Sequence, residues 1–109
     1  MRNKSKIVIG APFVVEVDGK VRLCSSVICE DRTETIYYEF DLRFKEYLCW
    51  ERSDSFFLGL FQYAMYKDLD IVCEAPITED IYFQMVRYYM PVLSRSIAPF
   101  HEIEVQLHL

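Results

Sequence analysis

The clearest pattern in the chain is a strict alternation: Ile36, Tyr38, Phe40, Leu42 and Phe44 are interleaved with Tyr37, Glu39, Asp41, Arg43 and Lys45. A period of two sends the two sets to opposite faces of a strand. One face is then expected against helices and the other open to water or to a partner. Upstream, residues 13–17 and 20–29 flank Asp18-Gly19, a dipeptide suited to a type I′ turn because both central residues take positive φ, so this stretch predicts a β-hairpin. Within it Val21, Leu23, Ser25 and Val27 alternate with Arg22, Cys24, Ser26 and Ile28. The apolar run 7–15, interrupted by Gly10 and Pro12, reads as a strand. At the other end Ile103, Val105, Leu107 and Leu109 alternate with Glu102, Glu104, Gln106 and His108, which predicts a last strand over 101–109.

The remaining patterns are helical. Ser53, Asp54 and Ser55 are three candidate N-caps, and Phe57, Leu60, Phe61, Ala64 and Met65 follow on one face, widened by Phe56 and Tyr63. This helix should end near Lys67-Asp68. Its central stripe is worth roughly 7–15 kcal/mol gross if each large side chain contributes about 1.5–3 kcal/mol, an upper bound because denatured chains already bury some surface. A short strand over 70–75 is stopped by Pro76. Thr78 then caps a second helix with Glu79 and Asp80 in its first turn. Ile81, Met85, Val86, Tyr89, Val92 and Leu93 share a face of it, and Pro91 must kink or end it. Residues 94–100 read as a loop. The order β-β-β-α-β-α-β predicts an α+β fold, with a mostly antiparallel sheet and two helices packed on one face.

A chain of 109 residues, 52% hydrophobic, holds one domain with one core, and residues 1–6 read as a flexible tail. The formal charge of −5 argues against nucleic acid as a partner, since such binders concentrate Lys and Arg to displace counterions. Arg2, Lys4 and Lys6 read as a solvated terminus. No stretch approaches the roughly 20 apolar residues that span a membrane, so none is expected as a partner. Run 7–15 lacks a small-residue cleavage site, which points to a cytoplasmic protein. Cys24, Cys29, Cys49 and Cys73 form no C-x-x-C pair and no Cys/His zinc spacing, so they are expected as free thiols.

The common catalytic motifs are absent: there is no G-x-G-x-x-G, Walker-type loop, S-G-G-x-D-S loop or H-E-x-x-H. No catalytic residue, metal or cofactor is expected. Speculative ligand or interface positions are Arg52 and Asp54, at a helix start whose free N–H groups favour anions although Glu51 and Asp54 oppose them, together with the two histidines, His101 and His108. Tyr37 belongs to a surplus of tyrosines and phenylalanines that one small core does not fully hide, and aromatics are enriched at protein contacts.

The run Trp50-Glu51-Arg52-Ser53-Asp54-Ser55-Phe56-Phe57-Leu58-Gly59-Leu60-Phe61-Gln62-Tyr63-Ala64-Met65, followed by Asp70-Ile71-Val72-Cys73-Glu74-Ala75-Pro76-Ile77-Thr78, resembles the N-terminal region of certain bacterial PP-loop proteins. There a domain of about this length precedes an ATP-pyrophosphatase-type domain related to 7-cyano-7-deazaguanine synthases and asparagine synthases. The similarity runs from about Val21 onward and rests on packing motifs. Ala75-Pro76 replaces the usual Gly-Pro, and the S-G-G-x-D-S loop of the following domain is absent, so no catalytic residue carries over. The resemblance implies a non-catalytic accessory or interaction domain beside a nucleotide-activating enzyme, with a protein partner or a covalently following PP-loop domain. Two other functions fit the residues. One is a small-ligand binder or minor enzyme with a pocket between helices and sheet, using His101, Glu102 or Arg52. The other is a homodimer formed through the C-terminal strand or the open sheet face.

Overall fold

A computed structural model describes residues 5–107. The fold is α+β, and its sheet has six strands among the described residues: β1 (Lys6–Ile9), β2 (Phe13–Val17), β3 (Lys20–Cys29), β4 (Arg32–Asp41), β5 (Asp70–Cys73) and β6 (Val105–Gln106). The expected hairpin of β2 and β3 is present, and Asp18 and Gly19 at its tip have φ of 48° and 77°, as a type I′ turn requires. β4 pairs with β3 along its whole length. The opposite edge of β3 is shared end to end by β2 (opposite Lys20–Cys24) and β1 (opposite Val27–Cys29).

β1 and β2 are therefore two halves of one line of chain, and between them the register against β3 slips by one residue. The slip falls at Gly10. Its N–H donates to the Ser26 carbonyl at 2.9 Å, and the buried Ser25 hydroxyl donates to the Gly10 carbonyl at 2.8 Å. A Cβ on Gly10 would lie 2.7 Å from the Ser26 carbonyl oxygen, so only glycine fits this bulge.

Beyond β1 the sheet departs from expectation. β1–β5 and β5–β6 are parallel, so the sheet is mixed, with three antiparallel ladders and two parallel ones. The chain reaches β5 from β4 through helix α1, and β6 from β5 through a second helical stretch. The second of these joins parallel neighbours, as in a βαβ unit; the first carries the chain past β3 and β1, so that β5 lies beside β1 and not beside β4.

The helices cover the face that presents Ile7, Ile9, Leu23, Val27, Ile71 and Cys73, all buried. α1 (Asp54–Lys67) brings Phe56, Phe57, Phe61, Ala64 and Met65 down onto it, each at most 1% exposed. Leu60 is half-buried at the edge of that stripe, whereas Tyr63 turns outward. The helix ends in a Schellman-type closure with Asp68 in the left-handed region at φ 57° and the Leu69 N–H donating to the Ala64 carbonyl. β4 is tied to α1 by the Tyr38 hydroxyl, which donates to the Ser55 carbonyl at 3.0 Å, directly over Gly59.

The second helical stretch does not stop at Pro91. α2 (Glu79–Gln84) runs into a π turn (Met85–Tyr89) and continues as α3 (Met90–Ser96). Pro91 cannot donate a helical hydrogen bond and its ring crowds the carbonyl four residues back; the wider turn ahead of it absorbs both problems. The extra residue also rotates everything downstream. Met90, absent from the expected stripe, is buried, and Val92, expected inside, is 64% exposed. The helix thus reaches Ser96, further than the loop expected over 94–100. The last strand is only two residues long, but its alternation holds: Ile103 is buried, Val105 and Leu107 are half-buried, and Glu104 and Gln106 are exposed.

Candidate functional site

Two helix starts converge beside the C-terminal end of β5, the place where a ligand would be sought in a sheet with parallel strands. The corner is already filled by the protein's own groups. Ser53 N–H donates to the Pro76 carbonyl at 2.7 Å, and the Asp54 carboxylate accepts from the Thr78 N–H at 2.7 Å and from the Thr78 hydroxyl. Neither Ser53 nor Thr78 caps its own helix with its side chain, contrary to the expectation from the sequence. Instead the first residue of α1 supplies the negative charge to the start of α2. An external anion is redundant here, because Asp54 occupies its place.

Cys73 lies in the same corner, 1% exposed. Burial, with the nearby Asp54 carboxylate adding to it, pushes its thiol up to about 12. The thiol therefore stays protonated at neutral pH and behaves as a small hydrophobe, without the thiolate that nucleophilic chemistry needs. Cys24 and Cys29 are likewise shifted upward, chiefly by burial. All four cysteines are free.

The other sequence-derived positions are scattered. Arg52 is exposed in the loop before α1, close in sequence to Asp54. His101 is exposed near the far end of that helix, where its backbone N–H donates to the Met65 carbonyl at 3.0 Å. The 14 residues of α1 separate Asp54 from His101 by about 20 Å at 1.5 Å per residue. Tyr37 lies on the other face of the sheet, with the Arg22 guanidinium 4.2 Å above its ring centre. His108 lies outside the described residues. Arg52, His101 and Tyr37 do not converge on one site, and among the described residues no group of three or more His, Cys, Asp or Glu side chains could hold a metal ion.

Two surface features remain. The sheet face away from the helices carries two apolar rows set by strand register: Phe13, Cys24 and Tyr37 in one, and Val72, Val8 and Ile28 in the other. Phe13, Ile28 and Tyr37 are 42%, 42% and 49% exposed, and Val15 beside them is 38% exposed. On the helix side, a cleft of about 470 Å³ opens between α1 and the start of β4, with Ile7, Val27 and Leu69 in its floor and Arg32, Glu34 and Lys67 on its rim. A pocket between helices and sheet was expected with His101, Glu102 or Arg52, none of which lines this cleft. Its floor comes from three separate segments, brought together by the antiparallel β1–β3 and parallel β1–β5 pairings, neither of which leaves a local signature.

No protein-family model, curated protein or solved structure matches the chain. No helix among the described residues is long and apolar enough to cross a membrane.

Proposed function

We propose that this chain is a non-catalytic accessory domain that docks on a PP-loop, ATP-pyrophosphatase-type partner in the bacterial cytoplasm, either as a separate protein or as part of the same one. The observation that carries this reading is the open sheet face. A sheet turned to water alternates apolar inward with polar outward, yet Phe13, Val15, Ile28 and Tyr37 all point outward here. Such a surface suits a second protein body packed against it. Asp54, the helix-start carboxylate considered for a ligand, is engaged in internal hydrogen bonds with Thr78, which also favours an interaction module over an enzyme. The likeness of residues 50–78 to the domain preceding PP-loop enzymes supplies the class of partner.

The test is a calorimetric titration of the chain with the PP-loop protein encoded beside it, or with the PP-loop domain that follows it. Saturable heat is expected. The variant Phe13→Lys with Val15→Lys should weaken the complex at least tenfold, about 1.4 kcal/mol, while leaving the melting curve of the free chain unchanged. A genome neighbourhood without any PP-loop protein, or titrations that stay flat, would sink the proposal.

The cleft beside α1 supports a second reading, a small amphipathic ligand. Its volume lies within the usual range for ligand pockets, and it combines an apolar floor with a charged rim. A ligand present at a hundredfold excess over its dissociation constant adds about 2.7 kcal/mol to stability. Thermal-shift screening with nucleotides and small acids is then expected to raise the melting temperature of the native chain. A Leu60→Trp variant, which fills the cleft, should abolish that response. Curves that do not move across a broad library count against this reading.

A further inference from the structure

α1 packs over β1 and β5, and β4 lies beyond β3 on the far side of β1, so a trough runs between α1 and β4. At one end Tyr38 bridges it, with its ring centre 5.3 Å from that of Phe56 and its hydroxyl on the Ser55 carbonyl. At the other end the trough opens into the cleft of about 470 Å³.

Strand register grades that cleft from dry to charged. Its sheet side is built from cross-strand ranks, Ile7, Cys29 and Arg32 in one and Val27 and Glu34 in the next. Ile7 and Val27 are buried, whereas the side chains of Arg32 and Glu34 are 78% and 60% exposed. The opposite bank is one face of α1, where Leu60, Tyr63 and Lys67 follow one another at helical spacing. Glu30, in the turn between β3 and β4 with φ 60°, also lines the cleft.

The rim therefore carries two charges of each sign, and all four act on the Cys29 thiol. Burial pushes that thiol up, Glu30 and Glu34 add to the rise, and Arg32 and Lys67 oppose it. Arg32 and Glu34 are paired with each other, whereas Lys67 and Glu30 form no ion pair among the described residues. A purely anionic ligand is drawn to Lys67 but repelled by Glu30, and a purely cationic one meets the reverse. A small head group with both signs satisfies both, and the floor of Ile7, Val27 and Leu69 takes an apolar group.

Taking the cleft as a ligand site, the second reading above, we propose that it binds a free amino acid with a branched or aromatic side chain. The amino acid enters as the zwitterion, with its carboxylate toward Lys67, its ammonium toward Glu30 and its side chain on the apolar floor.

Calorimetric titration of the unmodified chain with L-leucine and with L-phenylalanine is expected to give saturable binding of one molecule per chain. Glycine lacks the side chain, leucinamide the carboxylate and N-acetyl-leucine the ammonium, and each should bind at least tenfold more weakly. Two variants at exposed positions assign the contacts. Lys67→Met should weaken leucine at least tenfold and leave leucinamide unchanged, and Glu30→Gln should weaken leucine likewise and leave N-acetyl-leucine unchanged. Binding of decanoate or of a nucleotide in place of both amino acids overturns the assignment while keeping the cleft as a ligand site. Leucine binding that both variants leave intact overturns it as well. If none of these compounds binds, the ligand reading of the cleft falls together with the assignment.

Discussion

Truncation of Phe57 to alanine is expected to destabilise the fold by about 3–5 kcal/mol, among the largest effects of any single core substitution. Phe57 is fully buried and stacks on Phe61 with ring centres 5.2 Å apart and planes 24° from parallel. Phe61 in turn touches Tyr89 of the π turn, so the two rings join the sheet, α1 and the second helical stretch in one column. Removing the first ring costs its transfer free energy, and the cavity adds to that cost because the surrounding residues belong to three separate elements and cannot all close in. For a domain of this size the loss corresponds to a fall in melting temperature of roughly 10–25 °C. Tyr63→Ala, on the outer face of the same helix, is the control and should stay within about 0.5–1 kcal/mol. Urea denaturation of both variants checks the contrast, and a Phe57→Ala cost below that of Tyr63→Ala would contradict this account of the core.

The second large effect is expected at Asp54. Its replacement by alanine removes the acceptor from both the Thr78 N–H and the Thr78 hydroxyl, and hydrogen bonds to a charged group are worth about 1.5–3 kcal/mol each. Because the site is only partly buried, water recovers some of that loss, and a net cost of about 2–4 kcal/mol is expected. Asp54→Asn keeps one acceptor oxygen and should fall between wild type and alanine. Thr78→Val should cost about 1–2 kcal/mol alone and add less than fully to Asp54→Ala, the signature of a direct contact in a double-mutant cycle. The measurement also separates structure from function. A carboxylate retained for a ligand leaves stability unchanged or raises it when removed, whereas one that joins two helix starts lowers it.

Local patterning was legible wherever a residue's surroundings are set by its near neighbours. The hairpin at Asp18-Gly19, the burial of Val21, Leu23, Ser25 and Val27, and the inner face of α1 all followed from periods of two and 3.6 and from turn chemistry. Strand polarity was not, because β1 and β5 are far apart in the chain and parallel neighbours leave no adjacent turn to read. Pro91 announced an irregularity but not its form, and the choice of a π turn moved Val92 out and Met90 in. Asp54 was recognised as polar chemistry at a helix start; that its acceptors serve the next helix became visible only when Thr78 was brought beside it. The alternation from Ile36 to Phe44 promised a buried face. That promise is kept at Ile36, half-buried, and fails at Phe40, since cover depends on how far α1 extends across the sheet; beyond Asp41 the strand gives way to a 3-10 helix, Leu42–Tyr47, so Leu42 and Phe44 do not continue the alternation.

The bulge at Gly10 has a bearing on the outer surface. In β1 the odd-numbered residues Ile7 and Ile9 face the helices, whereas in β2 the even-numbered Val14 and Glu16 do. A single additional residue has exchanged odd for even. Were the same residues paired without the bulge, Phe13 would face Leu23 instead of Cys24, Phe13 and Val15 would turn inward and Val14 and Glu16 outward, and the apolar face proposed to receive a partner would become a mixed one. The hydrophobicity of Phe13 and Val15 is thus only half of that surface. The other half is a count along the backbone, kept by a glycine with no room for a side chain, so the docking face is erased by whatever flattens the bulge while keeping every residue, whereas deletion of the extra residue leaves it in place.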